Sequence, residues 1–214
     1  MIYISFDIGI KNLALCILEN KDNYINIIDW RVITLADKKK DVNGLNLISE
    51  ILFYELDNII GSIEELKYEN IDYVLIENQP SNLNGIMKSI QLLIFSYFSL
   101  LKHWDKFIGQ VLLINASLKL QYHNFKPEPL IKIDATRNKK EQKRDKYRNN
   151  KNDGIEITKY YIKNNYILNN YFIKHKKKDD LADTLLQTIS YIKKNNAELI
   201  IEEVNISDNN LIDI

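Results

Sequence analysis

The first eighteen residues constrain this chain most. Ile2, Ile4 and Phe6 alternate with Tyr3 and Ser5, the two-residue period of a strand. The strand ends on a carboxylate, Asp7, and Ile8-Gly9-Ile10-Lys11-Asn12 then reads as a short turn. Leu13, Leu15, Ile17 and Leu18 form a second apolar run, so the pair reads as a hairpin. An acid at the end of a buried strand is costly unless a partner or a metal compensates it. Two readings of Asp7 stand side by side. It caps the turn, or it belongs to a set, because carboxylates recur in similar settings at Glu77, Asp180 and Asp183.

At 214 residues the chain is long enough for one well-buried domain, and a hydrophobic fraction of 45% fits a globular protein. No run approaches the length of a membrane span, and the start reads as a strand rather than a signal peptide. The expectation is a soluble intracellular protein. The single cysteine, Cys16, reads as a small core residue. The formal net charge is +0, but the sum hides an asymmetry. Between Arg137 and Lys151 eight Lys or Arg stand against Glu141 and Asp145, whereas from Ala197 onward every charged residue is acidic.

Tyr24–Ile33 reads as a third strand, Leu45–Ile63 as an amphipathic helix begun by Asn43 and Gly44, and Ile71–Ile76 as a strand buried on both faces. Glu77 ends that strand, and Asn78-Gln79-Pro80 turns the chain. A helix follows to Trp104, with Met87, Ile90, Leu93, Ile94, Tyr97 and Leu101 as its apolar face, and then a strand at Gln110–Ile114. Gln121–Asn152 looks irregular, with a short strand at Leu130–Ile133; Ile155–Ile167 and Asp180–Lys194 have helical spacing. The expected architecture is α/β, a mixed five-stranded sheet flanked by helices. It forms a single domain over 1–204, with an irregular basic insertion over 121–152 and an acidic tail over 205–214.

Asp180-Leu181-Ala182-Asp183 places two carboxylates three residues apart at a helix start, hence on one face. An acid in a first turn also interacts favourably with the helix dipole, which explains Asp179 or Asp180 better than Asp183. Four carboxylates brought together repel unless divalent cations neutralise them. Oxygen donors suit Mg²⁺ or Mn²⁺, and two such ions about 4 Å apart support phosphodiester hydrolysis.

The strand-Asp7-Ile8-Gly9 hairpin, the Ile76-Glu77-Asn78-Gln79-Pro80 turn and the late Asp180-x-x-Asp183 resemble the RuvC-like Holliday junction resolvases, in their poxvirus branch, within the ribonuclease H-like superfamily. These motifs span almost the whole chain in the right order. The resemblance implies that Asp7 bridges two metal ions, Glu77 is a second ligand, and Asp180 and Asp183 complete the sites. It implies Mg²⁺, two ions per active site, with Mn²⁺ as a substitute. It also implies a lysine near the scissile phosphate. Ser117-Leu118-Lys119-Leu120 is similar to the family's lysine-bearing segment, which favours Lys119, with Lys151 as the second candidate. Finally it implies a homodimer acting on branched DNA in the host cytoplasm. The helix from Met87 to Trp104 is the candidate dimer surface.

The basic run reads as a phosphate-contacting segment or as a solvated face. Lys143, Arg144 and Lys151 within it, with Lys11, Lys88 and Lys177 near the acids, are the candidate DNA contacts. His103, His123 and His175 show no ligand spacing and read as surface or structural; Trp30 and Trp104 read as core or interface. The rival readings are a non-catalytic branched nucleic-acid-binding protein of the same fold and an actin-like ATP-using phosphotransferase. The latter needs glycine-rich phosphate loops, and the six glycines here do not cluster.

Overall fold

A computed structural model describes residues 1–21, 24–36, 45–63, 66–80, 85–134, 136–196, 201 and 203–206. Three antiparallel strands open the chain: β1 (Ile2–Asp7), β2 (Leu13–Lys21) and β3 (Tyr24–Ile33). Then come α1 (Leu45–Ser62), β4 (Tyr73–Glu77), α2 (Gly85–His103) and β5 (Gln110–Ile114). A 3-10 segment (Ala116–Leu120) leads toward α3 (Lys139–Ile162), α4 (Tyr166–Lys174), α5 (Lys178–Asn195) and β6 (Val204–Ile206). The sheet order is β5-β4-β1-β2-β3-β6, with β4 parallel to β1 and β5, and β6 parallel to β3.

Strand alternation divides the core in two. Ile4 and Phe6 of β1 and Val74 and Ile76 of β4 pack toward α1 and α2. Tyr3 and Leu75 face the other way, toward α5. There Leu181, Ala182, Leu185, Leu186 and Ile189 are fully buried. Each such Leu or Ile contributes about 1.5–3 kcal/mol relative to exposure, so α5 is firmly seated on the sheet.

The expected elements need four corrections. Among the described residues the sheet has six strands rather than five, because Val204–Ile206 pairs with Ile25–Ile27; Asn205 and Ile206 therefore lie in the sheet and not in a tail. The second half of the expected irregular insertion is helical from Lys139, and residues 130–133 form no strand. The predicted helix over Ile155–Ile167 is the end of α3 plus the start of α4. The two are split where the Asn165 side chain caps Leu168 N–H. The α2 stripe proposed as a dimer surface faces inward: Ile90, Ile94, Phe98 and Leu101 are core, with Met87, Leu93 and Tyr97 packed against it. Leu92, Phe95 and Leu100 lie on the exposed side. Trp30 is buried, whereas Trp104 is exposed. The helix start at Asn43 and Gly44 and the acidic tail beyond residue 206 lie outside the described residues.

Candidate active site

The parallel pairing of β1 with β4 sets Phe6 beside Ile76, so the next residues, Asp7 and Glu77, emerge side by side at the same sheet end. Ile8 and Ile10, both buried, pin the turn after Asp7 into the core. Gly9 lies so close to Asn12 that a Cβ there would come 2.2 Å from the Asn12 carbonyl oxygen. Asn78 N–H donates to Ile114 O, and Gln79 N–H donates to the Gln91 side chain, which fixes the turn after Glu77.

The first turns of α5 bring Asp183 over these strand ends. Lys119, on the 3-10 segment after β5, reaches into the middle. Its Nζ lies 2.5 Å from Asp183 Oδ2 and 3.7 Å from Glu77 Oε1. The four expected carboxylates, Asp7, Glu77, Asp180 and Asp183, line one cleft of about 700 Å³ together with Lys119. Gln79, Met87, Lys146, Tyr147, Asn150 and Lys151 complete much of its wall.

Burial raises the Asp7 carboxyl well above the ordinary range, helped by its hydrogen bond with Glu77 and opposed by Lys119. Asp183 is raised to about 6 by burial, with Lys119 again opposing. Burial also raises Asp180, aided by Asp179. Burial alone would lower the Lys119 pKa, but Asp183, Asp7 and Glu77 outweigh it and raise it. One ammonium thus serves a cluster with more negative charge than it neutralises.

Asp179 and Asp180 separate cleanly. Asp179 is ion-paired with Lys151 on α3, and that pairing overcomes burial and lowers its pKa. Asp180 faces the cleft, with Lys177 Nζ at 3.9 Å. Lys151 lies inside α3 rather than ahead of a helix. Lys88 turns inward and donates to Asn78 Oδ1, Gln79 O and Gln91 Oε1. Lys11, Lys143, Arg144 and Lys177 are exposed.

Among the described residues no group of three His, Cys, Asp or Glu side chains is drawn into chelating geometry; the acids stand about an ammonium instead. The donor set nevertheless suits a hard divalent cation. It consists of carboxylate oxygens, it carries excess negative charge, and it borders an open cleft.

Two contributors escaped the sequence reading. Gln187, one turn beyond Asp183, donates to Ser5 Oγ, Leu75 O and Phe6 O. His123 is buried behind Lys119, with its Nε2 2.9 Å from Lys119 O and its Nδ1 3.0 Å from the Tyr161 hydroxyl. Only the four-residue spacing from Asp183 hinted at Gln187; nothing marked His123 as buried.

This architecture has known counterparts. Residues 1–100 match the family model of the poxvirus A22 protein. That stretch contains both the Asp7 hairpin and the Glu77 turn. A curated relative, an uncharacterized protein of Acanthamoeba polyphaga mimivirus, is 33% identical over 144 residues, 64% of this chain. The matched stretch spans 33% of that protein's length. Among solved structures, the fowlpox virus Holliday junction resolvase aligns with a TM-score of 0.55 at 21% identity, covering 91% of this chain and 99% of that one. The yeast mitochondrial Holliday junction resolvase gives 0.55 at 16% identity, covering 89% and 77%. Thermus thermophilus RuvC, in complex with a Holliday junction substrate, gives 0.51 at 8%, covering 91% and 96%. The fold is therefore RuvC-like and ribonuclease H-like. Among the described residues no helix is long and apolar enough to cross a membrane.

Proposed function

We propose that the chain is a metal-dependent, structure-selective endonuclease that resolves four-way DNA junctions. The observation that carries this reading is the convergence of Asp7, Glu77, Asp180, Asp183 and Lys119 on one cleft bordered by the basic helix α3. Asp7, Glu77, Asp180 and Asp183 would hold Mg²⁺, two ions per site with Mn²⁺ as a substitute, which when bound supply Lewis-acid stabilisation and an acidified water. In the hydrolysis, water oxygen bonds to phosphorus, the bond to one sugar oxygen breaks, and that oxygen leaves with a proton.

The protein's own groups have distinct tasks. Lys119, paired with both Asp183 and Glu77, is placed to donate to a phosphate oxygen, as a compact cation suits. Lys151 holds Asp179 away from the cleft, leaving Asp180 and Asp183 to face it. Lys143, Arg144 and Lys146, exposed on α3, would hold flanking phosphates without reading sequence, as would Lys11 and Lys177. Lys88 is assigned instead to holding the turn after Glu77. Cutting a near-two-fold junction at equivalent places needs two sites, so the same reading makes the protein a homodimer. It has the dimer acting in the host cytoplasm.

The test is cleavage of a labelled four-way junction and a linear duplex of the same sequence, with Mg²⁺ or with chelator. The expected result is paired nicks in the junction alone, only with Mg²⁺, lost in Glu77→Gln and Asp183→Asn proteins that still bind it. Binding without nicking in every condition would instead identify a non-catalytic junction-binding protein.

A further inference from the structure

The contacts between α5 and the two acid-bearing strands form three rungs. Asp7, Glu77 and Asp183 make the first, gathered about Lys119. Two residues back along each strand and four on along the helix, Ser5, Leu75 and Gln187 make the second. The Gln187 amide nitrogen lies 2.9 Å from Ser5 Oγ and 3.3 Å from Leu75 O, with Phe6 O at 3.5 Å. One further step gives Tyr3, Tyr73 and Tyr191, whose ring centroids are 5.0, 5.6 and 6.4 Å apart. Four helical residues advance about 6.0 Å and two strand residues about 6.6 Å, so the elements stay in step over this length.

The rungs differ in how well they hold register. The first is acids that repel one another and are joined to α5 through Lys119, which stands on the 3-10 segment and on neither strand. The third is aromatic contact, which tolerates sliding because ring pairs are favourable over a range of offsets. The second is directional. An amide with two protons and fixed acceptors on two strands loses its bonds within a fraction of a helical turn. Gln187 is 3% exposed, so water does not replace a missing partner. A further polar tie of α5 to the sheet, Trp30 Nε1–H to Leu181 O and Thr184 Oγ1, anchors the helix to β3, which carries none of the four cleft acids.

We propose that Gln187 is a positioning residue. Its amide locks α5 in register with β1 and β4 and so places Asp183 against Asp7 and Glu77. Nothing in this assignment needs Gln187 to touch DNA or metal. Its kinetic consequence rests on the nuclease reading; its structural consequence does not.

Gln187→Met keeps length and bulk and removes the amide, and three measurements on the full chain follow. A crystal structure is expected to show the Asp183 carboxylate displaced by about 1 Å relative to Asp7 and Glu77, a misplacement on the scale that costs about 10²-fold in rate. Calorimetric titration with Mn²⁺ alone is expected to show affinity falling by about tenfold or more, as when a group orienting a metal ligand is removed. Junction cleavage is expected to lose kcat on the order of 100-fold with KM nearly unchanged. Asp183 unmoved, or metal affinity and kcat both at wild-type values, overturns the proposal. If Gln187→Met does not fold, Ser5→Ala carries the test from the strand side, with the same direction expected and wild-type values again overturning it. A wild-type protein that never nicks junctions removes the nuclease reading, and the crystallographic comparison still decides the role of Gln187.

Discussion

The Lys119 ammonium stands 2.5 Å from Asp183 and 3.7 Å from Glu77, inside a group of acids drawn from three separate elements. It is placed where an added cation would be most stabilised. In the metal-free protein it therefore acts as an internal counter-ion for carboxylates that would otherwise repel or take up protons.

Lys119→Met is accordingly expected to destabilise the metal-free protein by about 2 kcal/mol, between the values for exposed and buried pairs. It should also tighten divalent-ion binding, because a competing charge is gone. Thermal melts with and without Mg²⁺ check both: the ion should raise the melting temperature of the variant more than that of the wild type. Equal rises would show that Lys119 and the ion do not compete. Junction cleavage should fall on the order of 10²–10³-fold even at saturating metal, as for removal of a donor to developing charge.

Gly9 and Gly154 make a matched pair. A Cβ at Gly9 would sit 2.2 Å from a backbone oxygen in the turn that presents Asp7, so the turn itself has to move. Gly9→Ala is expected to cost about 1–3 kcal/mol and to weaken metal binding. At Gly154, inside α3, the nearest atom to an added Cβ is Asp183 Oδ1 at 3.8 Å, an ordinary van der Waals approach. Gly154→Ala is expected to stabilise by about 0.5–1 kcal/mol through helix propensity, with activity retained. Urea unfolding of both variants checks the opposite signs.

Where burial is apolar and periodic, the sequence already spoke clearly: β1, β2, the full extent of Tyr24–Ile33, and the ends of β1 and β4 that carry Asp7 and Glu77. The first half of α3 stayed hidden because its inward positions are polar. Asp145 is paired with Arg137, and Asn149 is bonded to the backbone of Ile131, so no apolar stripe betrays the helix. Strand β6 is three residues long within an acidic stretch, too short for alternation to register. In the site, the acids were visible because charges at strand ends are conspicuous. Gln187 and His123 were not, since a polar side chain bonded inside a core looks in sequence like one on the surface.

His123 gives a stability signature of its own. Lys193 Nζ donates to the Tyr161 hydroxyl, Tyr161 then donates to Nδ1, and Nε2–H is directed at Lys119 O and Ser190 Oγ. Ser190 donates in turn to Gln121 O, which leaves the ring neutral with its proton on Nε2. Burial lowers its pKa from 6.5 to about 4, Lys119 O opposes that, and Lys193 adds to it. Above pH 6.5 the ring is neutral folded or unfolded and stability is unaffected. Between pH 6.5 and about 4 only the unfolded chain takes up the proton, so stability falls by up to about 1.4 kcal/mol per unit. Urea titrations at pH 7, 6 and 5 should show this loss in the wild type and a smaller one in His123→Gln. Parallel curves would place the titrating group elsewhere.

The basic face of α3 makes the last prediction. Arg137 is committed to Asp145, but Lys139, Lys143 and Lys146 border a second hollow with Ile133, and Lys146 also lines the acidic cleft. A single strand of backbone can therefore run from the carboxylates along α3 without leaving positive charge. Each phosphate deprived of its neutralising cation reduces the slope of log K against log salt by about 0.9. Lys143→Gln with Lys146→Gln is expected to weaken junction binding at about 50 mM salt and to flatten that slope by about two. Metal affinity should be unchanged, since neither side chain is among the acids. Fluorescence anisotropy of a labelled junction across a salt series decides the matter: an unaltered slope would make this face a solvated one and send the strand elsewhere.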